Sequence, residues 1–118
     1  MTLTLRLPMP PSVNQMLSNA IKGRTKTKKY YQWIDMAGKE IMIQLIGKRK
    51  EYGLPLLNDV KVEMVMERVG DLDNRIKATL DLLTTHQIYK DDKQVCEIVA
   101  RFGPVTGIEI RVTEAWTL

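Results

Sequence analysis

Apolar and polar positions alternate strictly over residues 2–7, with Leu3, Leu5 and Leu7 on one side and Thr2, Thr4 and Arg6 on the other. A period of two is that of a half-buried strand. Pro8, Pro10 and Pro11 end it, because proline has no N–H to give to a ladder. Residues 12–30 have no period and predict a long loop. Over residues 31–50 the period becomes helical: Ile34, Ala37, Ile41 and Leu45 form one stripe, flanked by Trp33 and Met42. Gly38 inside this helix costs about 1 kcal/mol relative to alanine. Tyr52-Gly53-Leu54-Pro55 then signals a turn.

Alternation returns over residues 59–69, with Val60, Val62, Met64 and Met66 facing one way and Lys61, Glu63 and Glu67 the other. After Asp73, the positions Ile76, Leu80 and Leu83, with Leu82 alongside, define a second helix that ends near Thr85-His86. Residues 95–102 predict a third strand with Cys96, Ile98, Ala100 and Phe102 on one face. Residues 108–113 predict a fourth, with Ile108, Ile110 and Val112 inward. The five residues between them predict an antiparallel hairpin. The order β-α-β-α-β-β implies an α+β fold: a four-stranded mixed sheet with two helices on one face, a single domain over residues 1–118.

A chain of 118 residues is long enough for one core and too short for two. No apolar run approaches the roughly 20 residues of a membrane span, and the N-terminus lacks the build of a signal peptide, so the expected location is the cytoplasm. Cys96, the only cysteine, excludes an intramolecular disulfide and a cysteine-based zinc cluster, and is expected in the core. The net charge of +4 suggests a polyanionic partner. Lys22, Arg24, Lys26, Lys28 and Lys29 follow one another with no acid among them, and Lys48, Arg49 and Lys50 form a second cluster. Such runs are either solvated loop or nucleic-acid contacts, and the position of the first in the 12–30 loop makes it a candidate DNA arm. Ser12, Asn14, Ser18 and Asn19 in the same loop can bond backbone or phosphate. Tyr31 and Trp33 can stack on bases, but core packing or a dimer contact is the plainer reading.

The acidic residues change this picture most. Asp71 and Asp73 stand two apart in an extended segment and point to the same side. Lys77 follows Asp73 by one helical turn, and Asp81 follows Lys77 by another. Asp91 and Asp92 lie beyond the helix, which is roughly 18 Å long. The chain must therefore fold back across residues 87–90 for Asp92 to meet the first pair. Convergent carboxylates suit Mg²⁺, a hard cation that takes oxygen ligands, and a metal-held phosphate beside Lys77 suits phosphodiester hydrolysis. The plain alternative makes each aspartate a cap or turn residue, with Asp73 capping the helix, and pairs Lys77 with its neighbours on the surface. Phosphate loops of the Walker or Rossmann kind and zinc-ligand spacings are absent, and His86 is a helix-end residue.

At Asp71-Leu72-Asp73-Asn74, Lys77, Asp81, Asp91-Asp92 and Gln94-Val95 the sequence resembles the RusA family of Holliday junction resolvases, and Leu7 to Asn14 is similar to that family's opening strand and proline–asparagine turn. The resemblance implies a homodimer that binds four-way junction DNA and cuts two opposed strands symmetrically with Mg²⁺ or Mn²⁺. It implies that Asp71, Asp73 and Asp92 are metal-binding catalytic carboxylates and Lys77 the catalytic lysine, with Asp81 and Asp91 of second rank. Family members often carry a basic run before the first aspartate. Here the segment is Glu67-Arg68-Val69-Gly70, so Asn14, Lys22, Arg24, Lys26, Lys28, Lys29 and Arg68 are the expected DNA contacts. Trp33, Trp116 and the methionine-rich second strand are candidate interface residues. The alternatives are a non-catalytic basic DNA-binding or recombination accessory protein, and a metal-dependent nuclease acting on forks or flaps.

Overall fold

The computed structural model describes residues 2–12, 17–20 and 23–115, and of residues 17–20 and 23–26 the backbone alone. Four strands form one mixed sheet: β1 (Thr2–Leu7), β4 (Val60–Met66), β5 (Val95–Phe102) and β6 (Ile108–Glu114), in the order β1-β6-β4-β5. β6 pairs antiparallel with both β1 and β4, and β4 pairs parallel with β5. In this register Leu5 faces Ile110 and Ile110 faces Met64, so the alternating apolar sets of three strands share one face. Leu3, Leu5, Leu7, Val60, Val62, Met64, Met66, Ile108, Ile110 and Val112 are all buried there. The opposite face is polar, with Arg6 3.4 Å from Glu109 and Lys61 3.5 Å from Glu63.

Two helices close the core. α1 (Lys28–Gln44) contributes Tyr30, Trp33, Ala37 and Ile41, and α3 (Ile76–Thr85) contributes Ala78, Leu82 and Leu83. The α1 stripe is shifted toward the aromatics. Trp33 is buried and its indole N–H donates to the Pro8 carbonyl at 2.9 Å, so it is core rather than interface. Met64 and Met66 are likewise fully buried in a central strand, and Trp116 lies outside the described residues. Between the helices, α2 (Arg49–Tyr52) is a single turn. α1 therefore stops short of residue 50, where Gly47 at φ +70° breaks the helical path.

Three further expectations are corrected. The last two strands are not a hairpin, because β4 lies between them. β4 buries alternate residues completely and takes the centre, where it gains ladder bonds on both edges. Residues 103–107 cross its end, with the Gly103 N–H donating to the Met66 carbonyl at 2.9 Å. The 12–30 loop is not structureless: β2 (Leu17–Ala20) and β3 (Gly23–Lys26) pair antiparallel as a separate ribbon. Its segments lack apolar alternation, so periodicity does not reveal them. Cys96 is exposed, because a register shift at Val60/Lys61 displaces the start of β5. β5 is an edge strand, and Ile98 remains 43% exposed.

The parallel β4–α3–β5 unit positions the acidic residues. Asp71 and Asp73 follow the end of β4, whereas Asp92 precedes the start of β5. In a parallel pair those two points are at opposite ends, separated by a crossover helix of about 15 Å.

Candidate active site

The Asp71–Asp73 end is built around a buried arginine. Gly70 turns the chain at φ +67°, and Arg75, 8% exposed, lies directly behind it. The Arg75 Nε donates to the Pro10 carbonyl at 3.0 Å and Nη1 to the Val69 carbonyl at 2.9 Å, with Asp71 O at 3.5 Å. A Cβ on residue 70 would stand 2.9 Å from Nη1, so glycine is required there by both backbone and space. The guanidinium thus staples the proline turn after β1 to the turn that presents Asp71. Asn74 holds the Asp71 carboxylate, Nδ2 to Oδ2 at 3.2 Å. Asp73 opens the 3-10 turn Asp73–Arg75, and neither that turn nor α3 has a side-chain cap. The expected capping role of Asp73 is therefore not met. Its carboxylate is exposed, with no hydrogen bond or ion pair to any other described residue.

At the other end the chain folds back on itself. Gln87 takes the left-handed conformation, φ 54°, and sends Ile88 and Tyr89 into the core. The Ile88 carbonyl accepts from the Leu56 N–H at 2.9 Å, and the Tyr89 hydroxyl donates to the Leu80 carbonyl at 3.0 Å. Asp91 caps the 3-10 turn Asp92–Gln94 by accepting from the Lys93 N–H at 2.9 Å. This bond holds the Asp91 carboxyl below its ordinary range. The plain reading of an aspartate as a cap is thus correct for Asp91, while Asp92 is exposed at the tip of the turn.

A cavity of about 600 Å³ lies between α1, α3 and this turn, with Lys77, Asp81, Lys90, Asp91 and Asp92 on its polar side and Tyr30, Trp33 and Leu82 on its apolar side. Lys77 reaches along α3 to Asp81, Nζ to Oδ1 3.7 Å, and its side chain remains 74% exposed. Such a pair contributes only a few tenths of a kcal/mol and leaves the ammonium free to meet a phosphate. The carboxylates act on the tyrosines behind them. Burial, and then the charges of Asp92 and Asp81, push the Tyr89 hydroxyl up to about 12. Burial followed by the Asp81 charge also raises Tyr30.

The fold therefore brings Lys77, Asp81, Asp91 and Asp92 to one cavity, and leaves Asp71 and Asp73 beyond its lining at the N-terminal end of α3. All the acidic candidates are carboxylate oxygens, the donor type of Mg²⁺. Among the described residues, no three His, Cys, Asp or Glu of one chain stand close enough to hold an ion together. Of the expected DNA contacts, Asn14 and Lys22 lie outside the described residues, as do the side chains of Arg24 and Lys26. Lys28 and Lys29 are exposed on the first turn of α1. Arg68 is also exposed and stacks on the Phe102 ring, 4.9 Å from its centroid.

Sequence patterning gives no role to Arg75 and marks Gln94 only as part of a motif. A signal for Arg75 exists. It stands four residues before Thr79 and eight before Leu83, on the buried stripe of the helix that follows. For Gln94 the spacing Asp91-x-x-Gln94 is the local signal, that of a capping box, whereas its bonds to the Leu56 and Asn58 carbonyls, more than thirty residues away, have none.

Residues 8–113 match the sequence model of a family described as Endodeoxyribonuclease RusA. The chain is also 32% identical, over 119 aligned residues, to the protein named Crossover junction endodeoxyribonuclease rusA of Enterobacteria phage 82; the alignment covers 96% of this chain and 95% of that relative. No helix is long and apolar enough to cross a membrane, among the described residues.

Proposed function

Because the chain belongs to the endodeoxyribonuclease RusA family, we propose that it resolves four-way DNA junctions as a homodimer, with Mg²⁺ or Mn²⁺ held by Asp71, Asp73 and Asp92. The enzyme is an endodeoxyribonuclease, and junction DNA is its substrate. The observation that carries the site assignment is the state of two carboxylates. The Asp73 carboxylate makes no hydrogen bond or ion pair to the described residues, and Asp92 stands exposed on a fixed turn that lines the same cavity as Lys77. Side chains used as caps or surface pairs would be committed, as Asp91 is.

A bound divalent cation supplies an activated water and neutralises charge developing on the phosphate. Lys77 adds a fixed positive charge next to the same phosphate. Lys28, Lys29 and Arg68 hold the DNA backbone, the last with its guanidinium oriented by Phe102. Asp71 and Asp73 lie at the other end of the crossover from Asp92, and a second copy related by a two-fold axis would complete the set. This separation is what favours the homodimer, whose symmetry also matches that of a four-way junction. A nuclease of this kind acts on DNA in the cytoplasm.

The decisive experiment is junction cleavage with Mg²⁺ by wild type, Asp73→Asn and Asp92→Asn. Wild type should nick opposed strands, and both variants should bind the junction without cutting it. Cleavage by either variant at the wild-type rate would remove that residue from the site. Equal cutting of junction, fork and plain duplex would move the reading to a general metal-dependent nuclease.

A further inference from the structure

One side chain, Gln94, ties the turn that carries Asp92 to residues 56–58. The amide oxygen of Gln94 accepts from the backbone N–H of Lys90 at 2.8 Å and of Asp91 at 2.9 Å. Its amide nitrogen donates to the carbonyls of Leu56 and Asn58, both at 2.8 Å. A primary amide has two donor hydrogens and two acceptor lone pairs, so all four are in use. The reverse orientation would set NH₂ against two N–H groups and oxygen against two carbonyls. The network thus admits one orientation only.

The four bonds join two segments, and Gln94 stands 36 to 38 residues from its carbonyl partners in sequence. The Leu56 N–H also donates to the Ile88 carbonyl, so residues 56–58 form a rail along which residues 88–91 run. Asp91 completes the turn by accepting from the Lys93 N–H. Asp92 is then flanked on both sides by fixed backbone, while its own carboxylate stays exposed. An exposed acid on a turn held this tightly has the form of a reactive group whose location matters.

We propose that Gln94 is a positioning residue for junction cleavage: it locks the Lys90–Asp92 backbone to the Leu56–Asn58 segment and so sets where the Asp92 carboxylate stands. The role rests on the reading of Asp92 as an active-site carboxylate given above. Lys90, Asp91 and Asn58 are exposed, so water takes the place of most of these bonds in a variant, and the chain folds while the turn loosens.

The test uses the full chain as wild type, Gln94→Ala and Gln94→Glu. Three quantities are measured: backbone amide exchange at Lys90 and Asp91, junction binding without metal, and single-turnover cleavage over a range of Mg²⁺ concentrations. Gln94→Ala should speed exchange at both amides, leave metal-free binding unchanged, and slow cleavage by about 10–100-fold, the usual loss when a residue orienting a ligand is removed. Gln94→Glu keeps an acceptor for the two amides but sets its second oxygen against the Leu56 and Asn58 carbonyls. It should protect the amides in part and still cleave slowly. Wild-type exchange in Gln94→Ala overturns the clamp. Faster exchange with unchanged cleavage, or parallel loss of binding and cleavage in both variants, overturns the positioning role alone. A wild type inert toward junctions with Mg²⁺ overturns the metal-dependent nuclease reading, and this role with it.

Discussion

Arg75 and His86 show how single side chains fix the geometry around α3. Arg75 is a buried cation that touches backbone carbonyls of Pro10, Val69 and Asp71. Removing it leaves those carbonyls short of donors, each costing about 1–3 kcal/mol. Arg75→Ala should therefore lower stability by at least that amount in urea denaturation, and Arg75→Lys should not restore it, since an ammonium lacks the planar fork that reaches separate acceptors. At the other end of the helix, a Cβ on Gly38 would stand 2.8 Å from His86 Nε2. Alanine gains about 1 kcal/mol in helix propensity over glycine, yet Gly38→Ala should destabilise the wild type and stabilise a His86→Ala background. Equal effects in the two backgrounds would show that the ring moves aside without cost. Burial, and then the Arg49 charge, lower the His86 pKa. The unfolded chain therefore binds the proton more readily, and stability rises with pH between the depressed folded value and the ordinary 6.5. The stabilisation is complete above that range and is lost as pH falls through it. His86→Gln should flatten this dependence when denaturation is compared at pH 7.5 and 5.5.

At the scale of elements, the β2–β3 ribbon and the start of α1 form one basic unit. β3 ends at Lys26, Thr27 caps α1 by accepting from the Tyr30 N–H at 3.3 Å, and Lys28 and Lys29 begin the helix. A pair of strands leading into a capped helix presents these lysines from an ordered base rather than from a free loop. Neutralising Lys26, Lys28 and Lys29 to glutamine should lower the salt slope of junction binding by roughly 0.9 for each phosphate that is no longer paired with a cation. An unchanged slope would assign the DNA-binding role elsewhere, with Arg68 on its Phe102 platform the next candidate.

For the whole molecule, the question is where one complete site resides. Asp71 and Asp73 stand at one end of the β4–α3–β5 crossover and Asp92 at the other. If a homodimer forms and joins Asp73 of one copy to Asp92 of the next, Asp73→Asn and Asp92→Asn should complement. Each mixed dimer then holds one site with both lesions and one with neither. Mixing the two inactive variants under subunit exchange should restore nicking of single junction strands. Sites formed within one chain would leave every mixed dimer inactive. The same samples report the oligomeric state by sedimentation, where a monomer in the presence of junction DNA would exclude the shared site.

Patterning by itself determined the four strands of the main sheet, the two principal helices and the inward positions of β1, β4 and β6, because a period of two or of 3.6 is a local property that burial imposes on each segment. It also brought the acidic residues, Lys77 and the basic run to attention. What it did not determine depends on interactions between distant segments. The placement of β4 between β5 and β6 is one such feature, since strand order is set by competition for ladder bonds and not by loop length. The exposure of Ile98 follows from the edge position that this order gives to β5, and that of Cys96 from the register shift between β4 and β5. The aspartates were legible as a set, but their division was not: tertiary structure made Asp91 a cap, left Asp73 uncommitted, and stationed Asp92 on a turn held by Gln94. The Asp91 cap is a local bond to the Lys93 N–H, but the anchoring of the Asp92 turn to Leu56 and Asn58, and of the Asp71 turn through Arg75 to Pro10, joins residues more than thirty apart that no spacing rule connects.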